Sequence, residues 1–143
     1  MPRHEERREL GYGADQLFNL VADVSKYPEF LPWCLATRIR SQNKTEMIAD
    51  MRIGFNVFKE TFTSRVSLHH PKRISVVYEN GPFSYLENKW EFLEINNGCI
   101  IDFYVDFEFK SALMEKAIGK VFQKAVYKMV SAFEKRALAL YGS

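Results

Sequence analysis

The sequence has little cysteine and no long hydrophobic run, and each shortage excludes a class of protein. Its 143 residues include two cysteines, Cys34 and Cys99, which are too few and too far apart for a disulfide framework or a CxxC site. The apolar runs fall far short of the roughly 20 residues that cross a bilayer. We therefore expect a protein of a reducing compartment without a transmembrane segment.

The start of the chain also lacks the features of a leader. Residues 1–13 contain no apolar stretch of the signal-peptide kind, and the glutamates Glu5, Glu6 and Glu9 are unlike an acid-poor transit peptide. We expect a cytoplasmic protein, unless a leader has been removed.

Catalytic and metal-binding motifs are missing as well. The sequence contains no GxSxG, P-loop or GxGxxG motif. His69 and His70 are adjacent and point to opposite sides of an extended segment, and His4 lies on another element, so no zinc spacing appears. Cys34 has no nearby histidine to act as its base, which favours a buried apolar thiol. We expect no catalytic residue, no metal and no enzyme activity.

Aromatic residues are abundant. The chain has 12 Phe, 7 Tyr and 2 Trp, with 47% hydrophobic and 27% charged residues, a composition too mixed for disorder. So many rings indicate either a bulky core or a cavity lined for an apolar guest, and composition leaves both open. The net charge of +2 does not suggest DNA binding.

The first 34 residues combine three types of segment. Arg3–Leu10 reads as a polar edge strand, and apolar residues at i, i+3, i+4 and i+7 predict an amphipathic helix over 14–24. The segment 27–34 is apolar but contains two prolines, so a stiff turn or a single helical turn is expected.

Residues 35–110 alternate apolar and polar side chains with a period of two, which predicts antiparallel strands with one dry face. The alternation is clearest at Ile101, Phe103, Val105, Phe107 and Phe109. Turn residues separate the runs, namely 42–44, Gly54, His70-Pro71, Gly81-Pro82 and 96–98. Asn97-Gly98 is the strongest of these signals, because this pair tolerates the positive φ angles of a tight hairpin.

The C-terminal segment predicts one long helix. Ser111 is a suitable N-cap, Glu115 lies in the first turn, and we expect no break before Gly142, which gives about 29 residues and roughly 43 Å. Its expected apolar face comprises Met114, Ile118, Val121, Phe122, Ala125, Met129, Ala132 and Phe133. The order strand, helix, strands, helix predicts an α+β fold, with residues 1–143 forming a single domain.

Several segments together resemble the coenzyme Q-binding START-domain family. They are residues 16–34 with Tyr27-Pro28 and Pro32-Trp33-Cys34, Gly54-Phe55, Lys59-Glu60, Ser64-Arg65-Val66, Gly81-Pro82-Phe83 and residues 107–111. The resemblance covers nearly the whole chain. It implies the helix-grip fold of START and Bet v 1-like proteins, in which a curved antiparallel sheet wraps around a long C-terminal helix and encloses a hydrophobic cavity.

The resemblance also implies a function. Members hold ubiquinone or a related polyprenyl lipid as a bound ligand, require no other cofactor, and support respiration without catalysis. Similar bacterial proteins are described as ribosome-association toxins that bind the large subunit and block subunit association, and polyketide cyclase or dehydratase enzymes share the fold. A carrier would lie peripherally at the inner membrane face of a bacterium, or on the matrix side of a mitochondrion.

A polyprenyl quinone needs a long apolar slot with few polar groups. We expect about half of the following candidates to line it: Phe30, Leu31, Trp33, Phe58, Phe62, Tyr78, Trp90, Phe103, Phe107, Met114, Ile118 and Phe122. The quinone head is expected near the Pro-Trp turn.

Glu60 is a further candidate, because it shares strand parity with Phe58 and Phe62 and should face inward. A buried carboxylate needs a partner. An ion pair at the sheet rim, a contact with the ligand head group and a general acid all remain open.

Lysines occupy the outer face of the C-terminal helix at Lys116, Lys120, Lys124, Lys128 and Lys135. We call them the lysine stripe. A solvated face explains the stripe, and so does contact with anionic membrane lipids or with ribosomal RNA phosphates.

Overall fold

The computed structural model describes residues 3–55 and 57–142, with seven strands, three α-helices and a 3-10 helix at Val24–Glu29. The strands are β1 (Arg3–Leu10), β2 (Cys34–Gln42), β3 (Glu46–Phe55), β4 (Phe58–His69), β5 (Arg73–Asn80), β6 (Phe83–Ile95) and β7 (Gly98–Phe109). The helices are α1 (Ala14–Ala22), α2 (Ala112–Tyr127) and α3 (Met129–Tyr141).

The strands form one sheet in the order β1-β7-β6-β5-β4-β3-β2, and every neighbouring pair is antiparallel. Strands β2 to β7 therefore form a meander, while β1 lies at the far edge against β7. Register shifts occur in three strand pairs, namely β2–β3, β4–β5 and β6–β7. Such irregularities bend the strands. The α+β helix-grip fold expected from the sequence is confirmed.

Two of the predicted turns depend on special backbone conformations. Asn97 has φ 67° in the β6–β7 hairpin, and Gly81 has φ 144° between β5 and β6. Gly98 allows a close approach, because a Cβ there would lie 2.1 Å from the Leu10 carbonyl oxygen. The turn predicted at Gly54 is wrong: Gly54 lies inside β3, where the side chain of Leu35 packs over it.

One face of the sheet carries the core. The inward side chains of β7 are all buried from Cys99 to Phe109, and α2 and α3 place Ile118, Phe122 and Phe133 over this face. Burial of each such side chain stabilises the fold by about 1.5–3 kcal/mol.

The first helix is shorter than predicted. It ends at Ala22, because Asp23 adopts φ −83° and ψ 68°, and Val24 belongs to the 3-10 helix that contains Pro28. The single helical turn expected near Pro28 is therefore present, but it begins before Tyr27.

The long C-terminal helix predicted from the sequence is interrupted. The N-cap at Ser111 is confirmed, since its hydroxyl oxygen accepts a hydrogen bond from the Met114 N–H at 3.1 Å. Lys128 then takes φ −96° and ψ 8° and separates α2 from α3. At this point the Tyr127 ring stacks on His4 of β1 with a centroid distance of 4.5 Å. The Lys128 N–H still donates to the Lys124 carbonyl oxygen at 3.2 Å, so the irregularity is confined to one residue. Val121, expected on the apolar face, is 48% exposed.

Candidate ligand cavity

The inner face of the sheet and the C-terminal helices enclose an apolar cavity of about 100 Å³. Strand alternation determines its wall, because every second residue of a strand faces the same side. The lining residues are Val21, Val24, Tyr27, Trp33, Ala49, Met51, Phe62, Ser64, Val66, Ile74, Val76, Leu86, Asn88, Trp90, Phe103, Val105, Phe122, Val126 and Met129.

The cavity is small in this conformation. A cavity of about 150 Å³ admits a benzene ring, and drug-sized ligands occupy about 300–1,000 Å³. A larger apolar ligand can therefore enter only if part of the wall moves outward.

Five of the lining residues have a side-chain nitrogen or oxygen atom, namely Tyr27, Trp33, Ser64, Asn88 and Trp90. Three of them, Tyr27, Asn88 and Trp90, use these atoms in hydrogen bonds within the protein. The Tyr27 hydroxyl donates to the Val21 carbonyl oxygen at 2.5 Å, and burial raises the pKa of Tyr27 far above its usual range. Asn88 donates from Nδ2 to the Tyr104 carbonyl oxygen at 2.9 Å and accepts the Trp90 indole N–H at 3.1 Å. None of these three groups needs a ligand to complete its hydrogen bonds.

Ser64 is different. Its side chain is buried on β4, and its hydroxyl has no hydrogen-bond partner among residues 3–55 and 57–142. The β4–β5 register shifts next to it, since Thr63 pairs with Asn80 but Ser64 pairs with Tyr78. Ser64 thus presents a free donor to an otherwise apolar space.

Aromatic rings close one end of the cavity. The half-buried Trp33 ring stacks on the Phe55 ring and packs edge-to-face with the Phe122 ring, each at a centroid distance of 6.4 Å. Phe122 belongs to α2, so this helix forms part of the closure. Val57 at the β3–β4 tip and Leu113 in α2 lie at the same end and are 84% and 74% exposed.

Of the predicted candidates, fewer than half line the cavity: Trp33, Phe62, Trp90, Phe103 and Phe122. Three others are buried elsewhere in the core, namely Leu31, Phe107 and Ile118. Four are half-buried outside the lining, namely Phe30, Phe58, Tyr78 and Met114. Selection by ring size missed the small lining residues, although strand parity alone identifies Ala49, Ser64, Val66, Val76 and Val105 as inward-facing.

Glu60 lies half-buried on β4, opposite Ile53 of β3. The carboxylate has neither an ion pair nor a hydrogen bond within the described part of the chain. The ion pair considered from the sequence is therefore not present there, and Glu60 stays a candidate for ligand contact.

All five residues of the lysine stripe are exposed. Glu134, which is adjacent to Lys135 in sequence, pairs instead with Arg8 of β1 at 2.8 Å. The stripe thus lies on the solvent side of both α2 and α3 with its charges uncompensated by Glu134.

Both cysteines are buried. Burial raises the pKa values of Cys34 and Cys99 to about 11, so both thiols are protonated at neutral pH. Within residues 3–55 and 57–142, no cluster of three or more His, Cys, Asp or Glu side chains could hold a metal ion. No helix in the same residues combines the length and the hydropathy of a membrane-spanning segment.

Comparison with known sequences gives a family and named relatives. The family described as "Polyketide cyclase / dehydrase and lipid transport" matches residues 10–134. The chain is 39% identical over 132 residues to the ribosome association toxin RatA of Rickettsia prowazekii, covering 90% of each sequence. It is 35% identical over 144 residues to the mitochondrial coenzyme Q-binding protein COQ10 homolog B of Xenopus laevis, covering 97% of this chain and 59% of that protein.

Solved structures share the fold. A START superfamily protein from Mycobacterium smegmatis has a TM-score of 0.77 at 16% identity, covering 96% of this chain and 98% of that chain. The Zhui aromatase/cyclase of a Streptomyces species has a TM-score of 0.77 at 17% identity, covering 99% and 98%. At these identities, the two likenesses establish the architecture alone.

Proposed function

Because the chain belongs to the polyketide cyclase / dehydrase and lipid transport family, we propose that it binds ubiquinone or a related polyprenyl lipid and delivers it for respiratory electron transport without catalysing a reaction. The name of the Xenopus relative, a coenzyme Q-binding protein, supports this ligand class.

The observation that carries the proposal is an apolar cavity with a free hydroxyl donor, that of Ser64. A quinone head offers only acceptor oxygens, so a hydroxyl donor such as Ser64 suits it. We place the head against Ser64 on β4 and not beside the Pro-Trp turn, where Trp33 offers a ring wall. The remaining lining then holds the tail, in which each buried CH₂ contributes about 0.8 kcal/mol.

The size of the cavity implies that α2 moves when the ligand binds. A polyprenyl tail exceeds about 100 Å³, and displacement of Phe122 would join the cavity to the half-buried surface at Phe58 and Met114. Loading and unloading would then occur at the end of the sheet where α2 begins.

The same end suits peripheral contact with a membrane. The exposed Val57 and Leu113 are followed in sequence by Lys59 and Lys116, which are also exposed. Apolar tips beside cations fit a bilayer with anionic headgroups, to which each nearby cation contributes about 1 kcal/mol.

The test is organic extraction of the purified protein followed by mass spectrometry. We expect a quinone or another isoprenoid lipid in repeated preparations, and about tenfold less after Ser64→Ala, the loss of one hydrogen bond of about 1 kcal/mol or slightly more. Ser67→Ala, on the same strand but the opposite face, is the matched control. Absence of any such lipid from the wild-type protein would overturn the proposal.

A second function is favoured by the RatA relatives and by the exposed lysine stripe. Under this alternative, the chain binds the large ribosomal subunit and blocks subunit association. Co-sedimentation with ribosomes at low salt, weakened by Lys116→Gln with Lys120→Gln and Lys124→Gln, would support it. Failure of the wild-type protein to co-sediment with ribosomes at low salt would exclude the ribosome-binding alternative.

A cyclase or dehydratase reaction is the third alternative, since enzymes share the fold. Such a reaction needs a general acid or base within reach of the substrate. Tyr27 is the one ionisable residue among those lining the cavity, and its hydroxyl is bonded to Val21. This favours a binding protein. Glu60→Gln distinguishes the two roles that remain open for Glu60, a contact with the ligand head group and a general acid. Unchanged quinone retention would exclude the head-group contact.

A further inference from the structure

A second concave site lies at the end of the sheet opposite Trp33 and Phe122. There β4 ends, β5 begins, and the turn between β2 and β3 comes alongside. The recess measures about 660 Å³ and is open to solvent. Its lining residues are Lys44, Thr45, Leu68, His69, His70, Lys72, Arg73 and Glu91.

The recess is basic. Lys44, Lys72 and Arg73 are exposed, and none of their side-chain nitrogens lies within 4.0 Å of a carboxylate in the described residues. His69 and His70 add two imidazole rings, and Glu91 is the single acid of the lining. Elsewhere on the sheet, by contrast, arginines such as Arg65 are neutralised by glutamates. Glu91 lies directly opposite Arg73 in the β5–β6 pair, so the recess has three cations against one acid. This local excess of positive charge favours an anionic partner.

The backbone around the recess is well fixed. The Leu68 N–H donates to the Thr45 carbonyl oxygen at 2.8 Å and links the β2–β3 turn to β4. The Phe92 N–H donates to the Lys72 carbonyl oxygen, also at 2.8 Å, and links the β4–β5 turn to β6. Lys44 and Lys72 thus lie on turns that are tied to neighbouring strands, and Arg73 is the first residue of β5, so little backbone entropy is lost when a ligand binds.

The shape of the recess distinguishes between anionic partners. A flat bilayer cannot reach the floor of a concavity, and Leu68, the one large aliphatic residue of the lining, is buried. A single inorganic phosphate would occupy a small part of about 660 Å³. A nucleotide strand fits better, because phosphates can contact the lysines while bases stack on the flat groups of histidine and arginine.

We propose that this recess binds the sugar–phosphate backbone of a single-stranded nucleic acid. The site is separate from the lipid cavity and from the lysine stripe, and it uses Lys72 and Arg73 as its main phosphate contacts, with Lys44 on the neighbouring turn. His69 provides a ring surface beside them, while the His70 ring packs edge-to-face with Phe18 at a centroid distance of 4.8 Å.

The test is fluorescence anisotropy with labelled 12-residue oligouridylate and, separately, oligothymidylate at low salt. We expect Lys72→Gln with Arg73→Gln to weaken binding at least tenfold. The double variant should also lower the slope of log affinity against log salt by about 1.4, since each lost contact to a single strand contributes about 0.7. Equal binding of the two strands supports recognition of the backbone alone, and tighter binding of oligouridylate supports recognition of RNA.

The matched control is Arg38→Gln with Lys110→Gln, which removes the same charge from exposed positions outside both the recess and the lysine stripe. It should leave the affinity within about twofold at the 0.1 M point of the salt series, because surface charges more than a Debye length of about 10 Å apart are screened there. Equal weakening by the two double variants, no binding of either oligonucleotide, or binding of anionic vesicles in place of oligonucleotides would overturn the proposal. Thermal unfolding of each variant checks that it is folded.

Discussion

The two halves of the C-terminal helix are held in different ways. The α3 half is tied by polar contacts to three other elements. Arg136 donates to Glu29 of the 3-10 helix at 2.6 Å, Glu134 pairs with Arg8 of β1, and the Tyr141 hydroxyl donates to the Gln16 carbonyl oxygen at 3.2 Å. The α3 segment is therefore fixed in position and direction.

The α2 half is held mainly by rings. Phe122 meets Phe107 at 4.9 Å and Phe109 at 5.4 Å, while the exposed lysines of α2 have no ion pair in the described part of the chain. Its polar tie to another element comes at its last residue, where the Tyr127 hydroxyl lies 3.4 Å from the Arg3 carbonyl oxygen. Non-directional apolar contacts can be exchanged for contacts with a lipid, so we expect α2 to be the half that moves.

The largest expected effect comes from truncating one ring in each half. Phe122→Ala and Phe133→Ala should each lower the free energy of unfolding by about 3–5 kcal/mol, because both rings are buried. Only Phe122 lines the cavity, so ligand retention should fall in Phe122→Ala and persist in Phe133→Ala. Chemical denaturation and lipid extraction measure the two effects. Equal loss of ligand in both variants would contradict the difference between the two halves. If the alanine variants do not fold, Phe122→Leu and Phe133→Leu replace them in the same measurements.

Amide hydrogen exchange compares the two halves directly. We expect backbone amides in residues 116–124 to exchange at least about tenfold faster than those in 130–138, which corresponds to about 1.4 kcal/mol in opening free energy. Added lipid should slow exchange in α2 and leave α3 nearly unchanged. If α3 exchanges as fast as α2, the polar ties do not fix it.

Loss of the N-cap should loosen α2 alone. Ser111→Ala removes the hydrogen bond to the Met114 N–H and should cost about 1 kcal/mol. Because the free end of α2 lies at the cavity closure, ligand exchange should also become faster. Ser41→Ala, at an exposed position of β2, is the control, and stopped-flow fluorescence of Trp33 and Trp90 follows the exchange. A change in stability without a change in exchange rate would place ligand entry elsewhere.

The smallest effect concerns the tie between α3 and the 3-10 helix. The hydrogen bond from Arg136 holds the pKa of Glu29 below its usual value of 4.5. A lowered pKa in the folded state stabilises the protein above the unfolded-state pKa, and this stabilisation disappears as the pH falls through the lowered value.

Glu29→Gln should therefore reduce the melting temperature slightly at neutral pH and flatten its decline below about pH 4.5. The pair is partly exposed, which limits its contribution. Glu91→Gln, whose carboxylate has no ion pair in the described residues, is the control for thermal melts across this pH range. If the melting temperature of Glu29→Gln declines below about pH 4.5 as steeply as that of the wild-type protein, Arg136 does not tie α3 through Glu29.

Most of the fold could be predicted from the sequence because its signals are local. The alternation around Phe103, the Asn97-Gly98 turn and the Ser111 cap each reflect the geometry of a few adjacent residues. The interruption at Lys128 could not be predicted in this way. It has no proline or glycine, and it accompanies a contact between Tyr127 and His4, which are 123 residues apart in sequence.

The candidate site was predicted less well than the fold. Large rings such as Phe107 pack fully against one another, whereas a cavity remains where small side chains such as Ala49 and Ser64 leave space. Which inward residues pack and which leave a gap depends on the register of neighbouring strands and on the bulge beside Ser64. The basic recess at Lys72 likewise requires two turns to come together in space.

Filling the cavity tests the central claim most directly. Ala49→Leu adds apolar volume to a buried wall of the cavity, and a space of about 100 Å³ can accommodate the larger side chain. The free energy of unfolding should therefore stay equal or rise by about 0.5–2 kcal/mol. Ala36→Leu, at an exposed position of β2, is the control. The account predicts that lipid extracted from Ala49→Leu falls to a small fraction of the wild-type amount, while Ala36→Leu retains it. Full lipid retention by a folded Ala49→Leu protein would contradict the account.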